Sequence, residues 1–224
     1  MQQRKSKRIL IYFFLFLIIG TFNNKDLNNI NFAKINEIVV TGLDKKDNLY
    51  LIRKLSFLKI NNLFFLDERR IEEILNSNNL VENYSVFKKY PSTLNIKIEK
   101  AEILAQVKRE NKIFFLGSNG KLISNLDTEN DVPFIFGNFE NKNFFELRNA
   151  IQETNFDYSK IKNLYFFKSG RWDIETNEGL LIKLPKENLK KKLKFLIIFL
   201  EKDFENKIDK IDLRQYNQVI VNGR

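Results

Sequence analysis

VENYSVFKKYPSTLNIKIEKAEILA, residues 81–105, is the stretch whose reading decides the fold. Tyr84, Val86 and Tyr90 mark a first strand. In the second, Leu94, Ile96 and Ile98 alternate with Asn95, Lys97 and Glu99. Strict alternation predicts one buried and one wet face for each strand. Pro91-Ser92-Thr93 supplies the corner, because proline fixes φ for a turn and cannot donate to a ladder.

Upstream, Ile35 to Val40 (INEIVV) reads as a strand ending at Gly42, where glycine supplies the positive φ of a turn. Asp47 to Leu58 carries Leu49, Ile52 and Leu55 along one side and predicts a helix. After an apolar link at Phe64 and Phe65, Asp67 has the chemistry of an N-cap. Ile71, Ile74 and Leu75 then line one face of a second helix that fades at Asn78-Asn79. The order strand, helix, helix, strand, strand predicts a three-stranded sheet with two helices on one face.

Downstream, Glu99 to Ala105 reads as the passage into a second unit of different character. Ile113 to Leu116 and Lys121 to Ile123 flank Gly117-Ser118-Asn119-Gly120, a hairpin with Asn-Gly at its corner. Val132 to Gly137 is a short apolar piece interrupted by Pro133. Phe144 to Glu153 predicts a helix. Leu164 to Phe167, Trp172 to Thr176 and Leu180 to Leu184 predict successive strands. Trp172 and Ile174 alternate with Asp173 and Glu175, which places the tryptophan in the core and both carboxylates in solvent. Lys186 to Phe204 repeats Leu189, Leu193, Ile197, Leu200 and Phe204 at helical spacing. Lys210 to Asn222 predicts a terminal strand pair or one bent strand.

Composition narrows the chemistry. The 224 residues are 43% hydrophobic, enough for a packed core, and contain neither cysteine nor histidine. Zinc, haem and Fe–S ligation, and thiol or imidazole catalysis, are thereby excluded, and no disulfide can form. No Gly-rich phosphate loop or G-x-S-x-G is present. A carboxylate pair is the remaining catalytic option; Glu99 with Glu102 and Asp173 with Glu175 both read as solvent-facing alternation rather than as a site. The formal net charge is +10, but Arg4, Lys5, Lys7 and Arg8 supply four of those charges. The rest is dominated by lysine beside abundant Asn, Ile and Phe, a bias that an AT-rich genome produces. Lys190-Lys191-Lys192 falls on a predicted helix face, and no aromatic-interleaved basic run suggests nucleic-acid binding.

After the basic start, Ile9 to Phe22 (ILIYFFLFLIIGTF) has no charge. Fourteen helical residues span about 21 Å, against a hydrocarbon core of about 30 Å. A signal-peptide core has this length, but Ile18-Ile19-Gly20 and Gly20-Thr21-Phe22 match a small-x-small cleavage site poorly. The expectation is an uncleaved signal anchor, with Arg8 snorkelling and the bilayer thinning locally. The positive-inside rule then leaves the N-terminus in the cytoplasm.

Together these pieces resemble the FtsQ/DivIB family of bacterial division proteins. Ile38-Val39-Val40-x-Gly42, Leu66-Asp67, and Val86, Lys88, Tyr90, Pro91, Leu94, Ile96, Ile98 and Glu99 follow the wording of its POTRA domain in order. Pro133 and Gly137, Gly170-Arg171-Trp172 with Gly179 and Leu184, and Asp212-Leu213-Arg214 follow its β domain. Lys88 and Tyr90 stand where the family often has Arg and Trp, and Glu102 lies where it often has proline. The resemblance implies an α+β chain: a cytoplasmic tail (1–8), a transmembrane anchor (9–22), a linker (23–32), a POTRA domain of β-α-α-β-β order (33–101) and a mostly antiparallel β domain with two packed helices (102–224).

It implies equally a non-enzymatic, single-pass inner-membrane scaffold at the division septum, with no cofactor, metal or small-molecule substrate. Its partners would be an FtsB/DivIC-type coiled-coil membrane protein and the FtsL-type protein that pairs with it. Arg214, Gln215, Tyr216, Gln218, Val219, Ile220 and Val221 occupy the corresponding partner-binding end. An extended segment can complete the unpaired backbone groups of such an edge. The competing reading is an internal rung with Tyr216 packed on the core. Arg53, Lys54, Glu68, Arg69 and Glu72 on the POTRA helices form a second candidate surface. The alternative class, a POTRA module of an outer-membrane assembly or secretion system, calls for tandem repeats or a long barrel of strands. One repeat and a short mixed region argue against it.

Overall fold

The computed structural model describes residues 3–21, 32–124, 131–201, 208–215 and 218–223. Helix α1 (Gln3–Thr21) covers the basic start and most of the apolar run, with Ile9 to Ile19 exposed along it. No helix among the described residues is long and apolar enough to cross a membrane.

The first unit has the expected β-α-α-β-β order: β1 (Glu37–Thr41), α2 (Lys45–Lys54), α3 (Glu68–Asn76), β2 (Val81–Lys89) and β3 (Thr93–Lys100). β3 lies in the middle, parallel to β1 and antiparallel to β2. The alternation holds: Leu94, Ile96 and Ile98 are buried under the helices with Ile38, Val40, Leu51, Leu55, Ile71 and Leu75. Asp67 caps α3 by accepting from the Arg69 N–H at 3.2 Å. Two boundaries differ from the sequence reading. The first helix ends at Lys54 and tightens into a 3₁₀ segment, Ser56–Ile60, which carries the buried Leu58 three residues after the buried Leu55 that joins the two. Tyr90 lies beyond β2, exposed at the corner, with its ring 4.9 Å from that of Phe64.

A nine-stranded sheet makes up the second unit. Its strands are β4 (Ile103–Arg109), β5 (Lys112–Gly117), β6 (Leu122–Ile123), β7 (Phe134–Phe136), β8 (Ile161–Phe166), β9 (Trp172–Thr176), β10 (Leu181–Lys183), β11 (Ile208–Asp212) and β12 (Ile220–Gly223). Their spatial order is β12-β11-β10-β9-β8-β7-β4-β5-β6. Helices α4 (Asn141–Gln152) and α5 (Leu189–Leu200) contribute Phe144, Leu147, Ile151, Leu193 and Leu196 to a core shared with Val107, Ile135, Leu164, Trp172, Ile174, Ile182 and Ile211. The segment from Lys210 resolves into two strands, β11 and β12, paired antiparallel.

Two features of this sheet escaped the sequence pattern. β4 lies where the sequence pattern shows only a passage, because a bulge between Ile103 and Ala105 puts Leu104 and Ala105 both inside and destroys the alternation. Although most pairings are antiparallel, β4–β7, β7–β8 and β10–β11 are parallel. α4 and α5 are the crossovers that β7–β8 and β10–β11 require. The two units touch at the expected hairpin corner. There Asn119 donates to the Asn79 and Val81 carbonyls, Lys121 to the Asn76 carbonyl, and Ser118 to Glu82.

Candidate functional site: an edge strand and the open sheet face

Among the described residues β12 is the outermost strand of the large sheet and pairs with β11 alone. The direction of its backbone groups follows from the ladder. The Leu213 N–H donates to the Lys183 carbonyl at 2.9 Å, so residues 211 and 213 point toward β10 and residues 210 and 212 toward β12. The opposed pairs Lys210↔Asn222 and Asp212↔Ile220 are then the hydrogen-bonded ones, whereas Ile211↔Val221 is not. The N–H and C=O of Val221 therefore face away from the sheet. Gln218, Ile220 and Val221 are exposed, and Val219 packs partly on the core.

Side chains on the sheet face opposite the helices form two rows leading to this edge. One runs Phe136, Tyr165, Asp173, Lys183, Asp212, Ile220; the other runs Phe134, Asn163, Glu175, Leu181, Lys210, Asn222. At the β7 side the rings of Phe136 and Tyr165 stack at 5.1 Å, and the Tyr165 hydroxyl donates to Glu175 at 2.6 Å. That bond and one from Asn163 hold the Glu175 carboxyl below its usual range, while the Glu175 bond and loss of solvent push the tyrosine up.

Nearer the edge the row becomes ionic. Arg214 embraces Asp212, its Nε donating to Oδ1 at 2.8 Å and its Nη2 to Oδ2. The pairing lowers the Asp212 carboxyl below the ordinary carboxylate range. Asp173 contradicts the solvent-facing reading of its alternation: it is buried, because Tyr165 and Lys183 stand directly beside it on the neighbouring strands. Among the described residues its Oδ1 finds no hydrogen-bond partner, and it lies 3.8 Å from the Arg171 Nε. Loss of solvent raises its pKa, against the pull of Lys183 and Arg171. Sequence reasoning missed Lys183 and the burial of Asp173, since neither strand periodicity nor charge spacing reveals which strands become neighbours.

Of the residues assigned from the resemblance, Arg214 and Gln215 lie at the exit of β11, Gln218 and Val219 lead into β12, and Ile220 and Val221 lie on it. Tyr216 lies outside the described residues. Lys192 on α5 donates to the Gln215 carbonyl at 2.6 Å and ties this corner to the helix. Arg53, Lys54, Glu68, Arg69 and Glu72 are all exposed on α2 and α3, well away from β12 in the chain, with Glu68 paired to Lys88 at 2.7 Å. Among the described residues no group of acidic side chains gathers to hold a metal ion. The arrangement offers backbone pairing along an edge, with the basic group of Arg214 at the exit of β11 and that of Lys183 on β10, the next strand inward.

Residues 33–101 match the profile of the POTRA domain, FtsQ-type, and residues 105–214 that of the cell division protein FtsQ/DivIB, C-terminal. The chain is 25% identical over 187 residues to the cell division protein FtsQ of Rickettsia bellii, covering 83% of this chain and 68% of that protein. It is 29% identical over 198 residues to the cell division protein DivIB of Staphylococcus aureus, covering 83% of this chain and 40% of that protein. A solved structure of the major extracytoplasmic domain of DivIB from Geobacillus stearothermophilus aligns over 42% of this chain and 87% of its own, at 17% identity and a TM-score of 0.34. With both parts matched in the same order and nearly without a gap between them, the chain belongs to the FtsQ/DivIB family of cell-division proteins.

Proposed function

We propose that this protein is a non-enzymatic scaffold of the divisome, anchored by residues 9–22 in the inner membrane with its N-terminus in the cytoplasm. In this reading residues 33–101 and 102–224 act outside the cytoplasm at the septum. The second unit binds an FtsB/DivIC-type partner, itself paired with an FtsL-type protein, and the POTRA unit engages further division proteins. The observation that carries it is the free side of β12: Val221 offers an outward N–H and C=O, and an extended segment can add there as a further strand. Backbone bonds supply affinity. Arg214 at the exit of β11, with Lys183 on the next strand inward, favours a segment carrying carboxylates.

The test is site-specific photo-crosslinking in dividing cells, with the reactive group at position 221 and, as control, at the exposed Phe87 on β2. Crosslinks to a coiled-coil membrane partner from position 221 alone are expected, and depletion of the protein should give filamentous cells. Efficient partner crosslinking from Phe87 and none from 221 overturns the site; normal division on depletion overturns the function.

A further inference from the structure

Three separate pieces of chain bring exposed aromatic side chains to one pole of the first unit. The Phe32 ring lies 4.5 Å from that of Phe64 and 5.9 Å from that of Phe65, and Phe64 lies 4.9 Å from Tyr90. Phe65 is 74% exposed, and Ile60, next in the chain to the Asn61 that pairs with Ile35, is 73% exposed. The pole is built firmly. Lys34 bridges to Asn62, Ile35 donates to the Asn61 carbonyl, Asn36 donates to the Ser92 carbonyl, and the Asn62 side chain accepts from both Phe64 and Phe65 N–H groups. A soluble surface rarely gathers so many large apolar groups without an occupant.

Chain direction says which occupant fits. β1 and β3 are parallel and both start at this pole, at Glu37 and Thr93. β3 ends at Lys100 and hands the chain to the large sheet, so the second unit lies at the opposite pole. Phe32 is itself the first described residue after α1, which ends at Thr21. Eleven residue steps hold it within about 40 Å of the helix end even at full extension. Lys34, Lys59 and Lys89, all exposed, flank the aromatics in sequence. Aromatic rings beside lysines are the composition that settles at a bilayer interface, rings at headgroup level and ammonium groups toward anionic lipid.

We infer that Phe32, Phe64, Phe65, Tyr90 and Ile60 form a membrane-seating surface that rests on the outer face of the bilayer and sets the tilt of the whole extracytoplasmic part. The inference depends on the anchor reading above. In this arrangement the POTRA unit stands on the membrane, and the edge strand β12 is held at a defined height above it.

Tryptophan quenching tests it with the full chain in vesicles of phosphatidylethanolamine and phosphatidylglycerol containing lipids brominated near the headgroup end of the acyl chain. Phe65→Trp should show blue-shifted emission quenched by these lipids, measured as the difference from the parent chain, whose Trp172 is buried in the second unit. Tyr50→Trp, on α2 beside Ile123 at the far pole, should remain unquenched. Tyr12→Trp, on α1, reports the anchor. Quenching at 12 without quenching at 65 overturns the inference and leaves the anchor standing; no quenching at 12 overturns both. A blue shift at 65 that ignores bromine and follows the protein-to-lipid ratio means that a second copy covers the patch, and overturns it too.

Discussion

Val221→Pro separates strand addition from every other way of binding at this edge. The Val221 N–H points away from the sheet, so proline removes no ladder bond to β11, and its fixed φ is tolerated on an edge strand. Folding should be little affected, with a change in stability below about 1 kcal/mol. An incoming strand, in contrast, loses the donor at the middle of its ladder. One backbone hydrogen bond contributes about 1 kcal/mol net, and the partner carbonyl left dry costs roughly 1–3 kcal/mol more. At 1.4 kcal/mol per decade, a total of about 2–4 kcal/mol is a loss of roughly 30- to 1,000-fold in affinity. The assay is titration of the detergent-solubilised full chain with the extracytoplasmic segment of an FtsB-type partner, beside thermal unfolding of the same sample. Ile220→Pro is the counterpart: it removes the bond to Asp212 within the sheet and should lower stability. Unchanged affinity in a folded Val221→Pro protein refutes backbone pairing at β12. Deleting residues 211–224 is a poorer probe, because Ile211 and Leu213 are fully buried and the deletion opens the core.

Asp173→Asn should leave the protein as stable or more stable at pH 7. The raised pKa means that the folded state takes up the proton more readily than the unfolded chain, so stability falls as pH rises from the unfolded to the folded value. Denaturant midpoints across the acid range should show that decline abolished in the variant. Asp212 has the opposite sign: its lowered pKa contributes stability above the unfolded value that is lost as pH falls through the folded one. Asp212→Asn should therefore weaken the protein at neutral pH and flatten the acid limb. Gly42→Ala should cost about 2 kcal/mol or more by chemical denaturation, since φ is +111° and the added Cβ would lie 1.8 Å from the Ile98 carbonyl oxygen. Phe144→Ala, at a fully buried position under the large sheet, should cost about 3–5 kcal/mol by the same measurement.

Local pattern carried the first unit almost completely. The alternation at Leu94, Ile96 and Ile98, the cap at Asp67 and the turn glycine at position 42 each depend on neighbours within a few residues, and each is legible in the chain. The order of motifs along the chain carried the family. What depends on distant neighbours was not legible. The bulge that hides β4, the parallel pairing of β10 with β11, and the burial of Asp173 between Tyr165 and Lys183 arise only when strands far apart in sequence meet. The terminal segment from Lys210 shows the division most clearly. Its apolar residues announce extended chain, but only the hydrogen bond from Leu213 to Lys183 decides which backbone groups are spent inside the sheet and which face outward. Side-chain period sets which face of a strand is buried. Its place in the sheet, and hence its free edge, is set by pairing partners that the strand's own residues do not name.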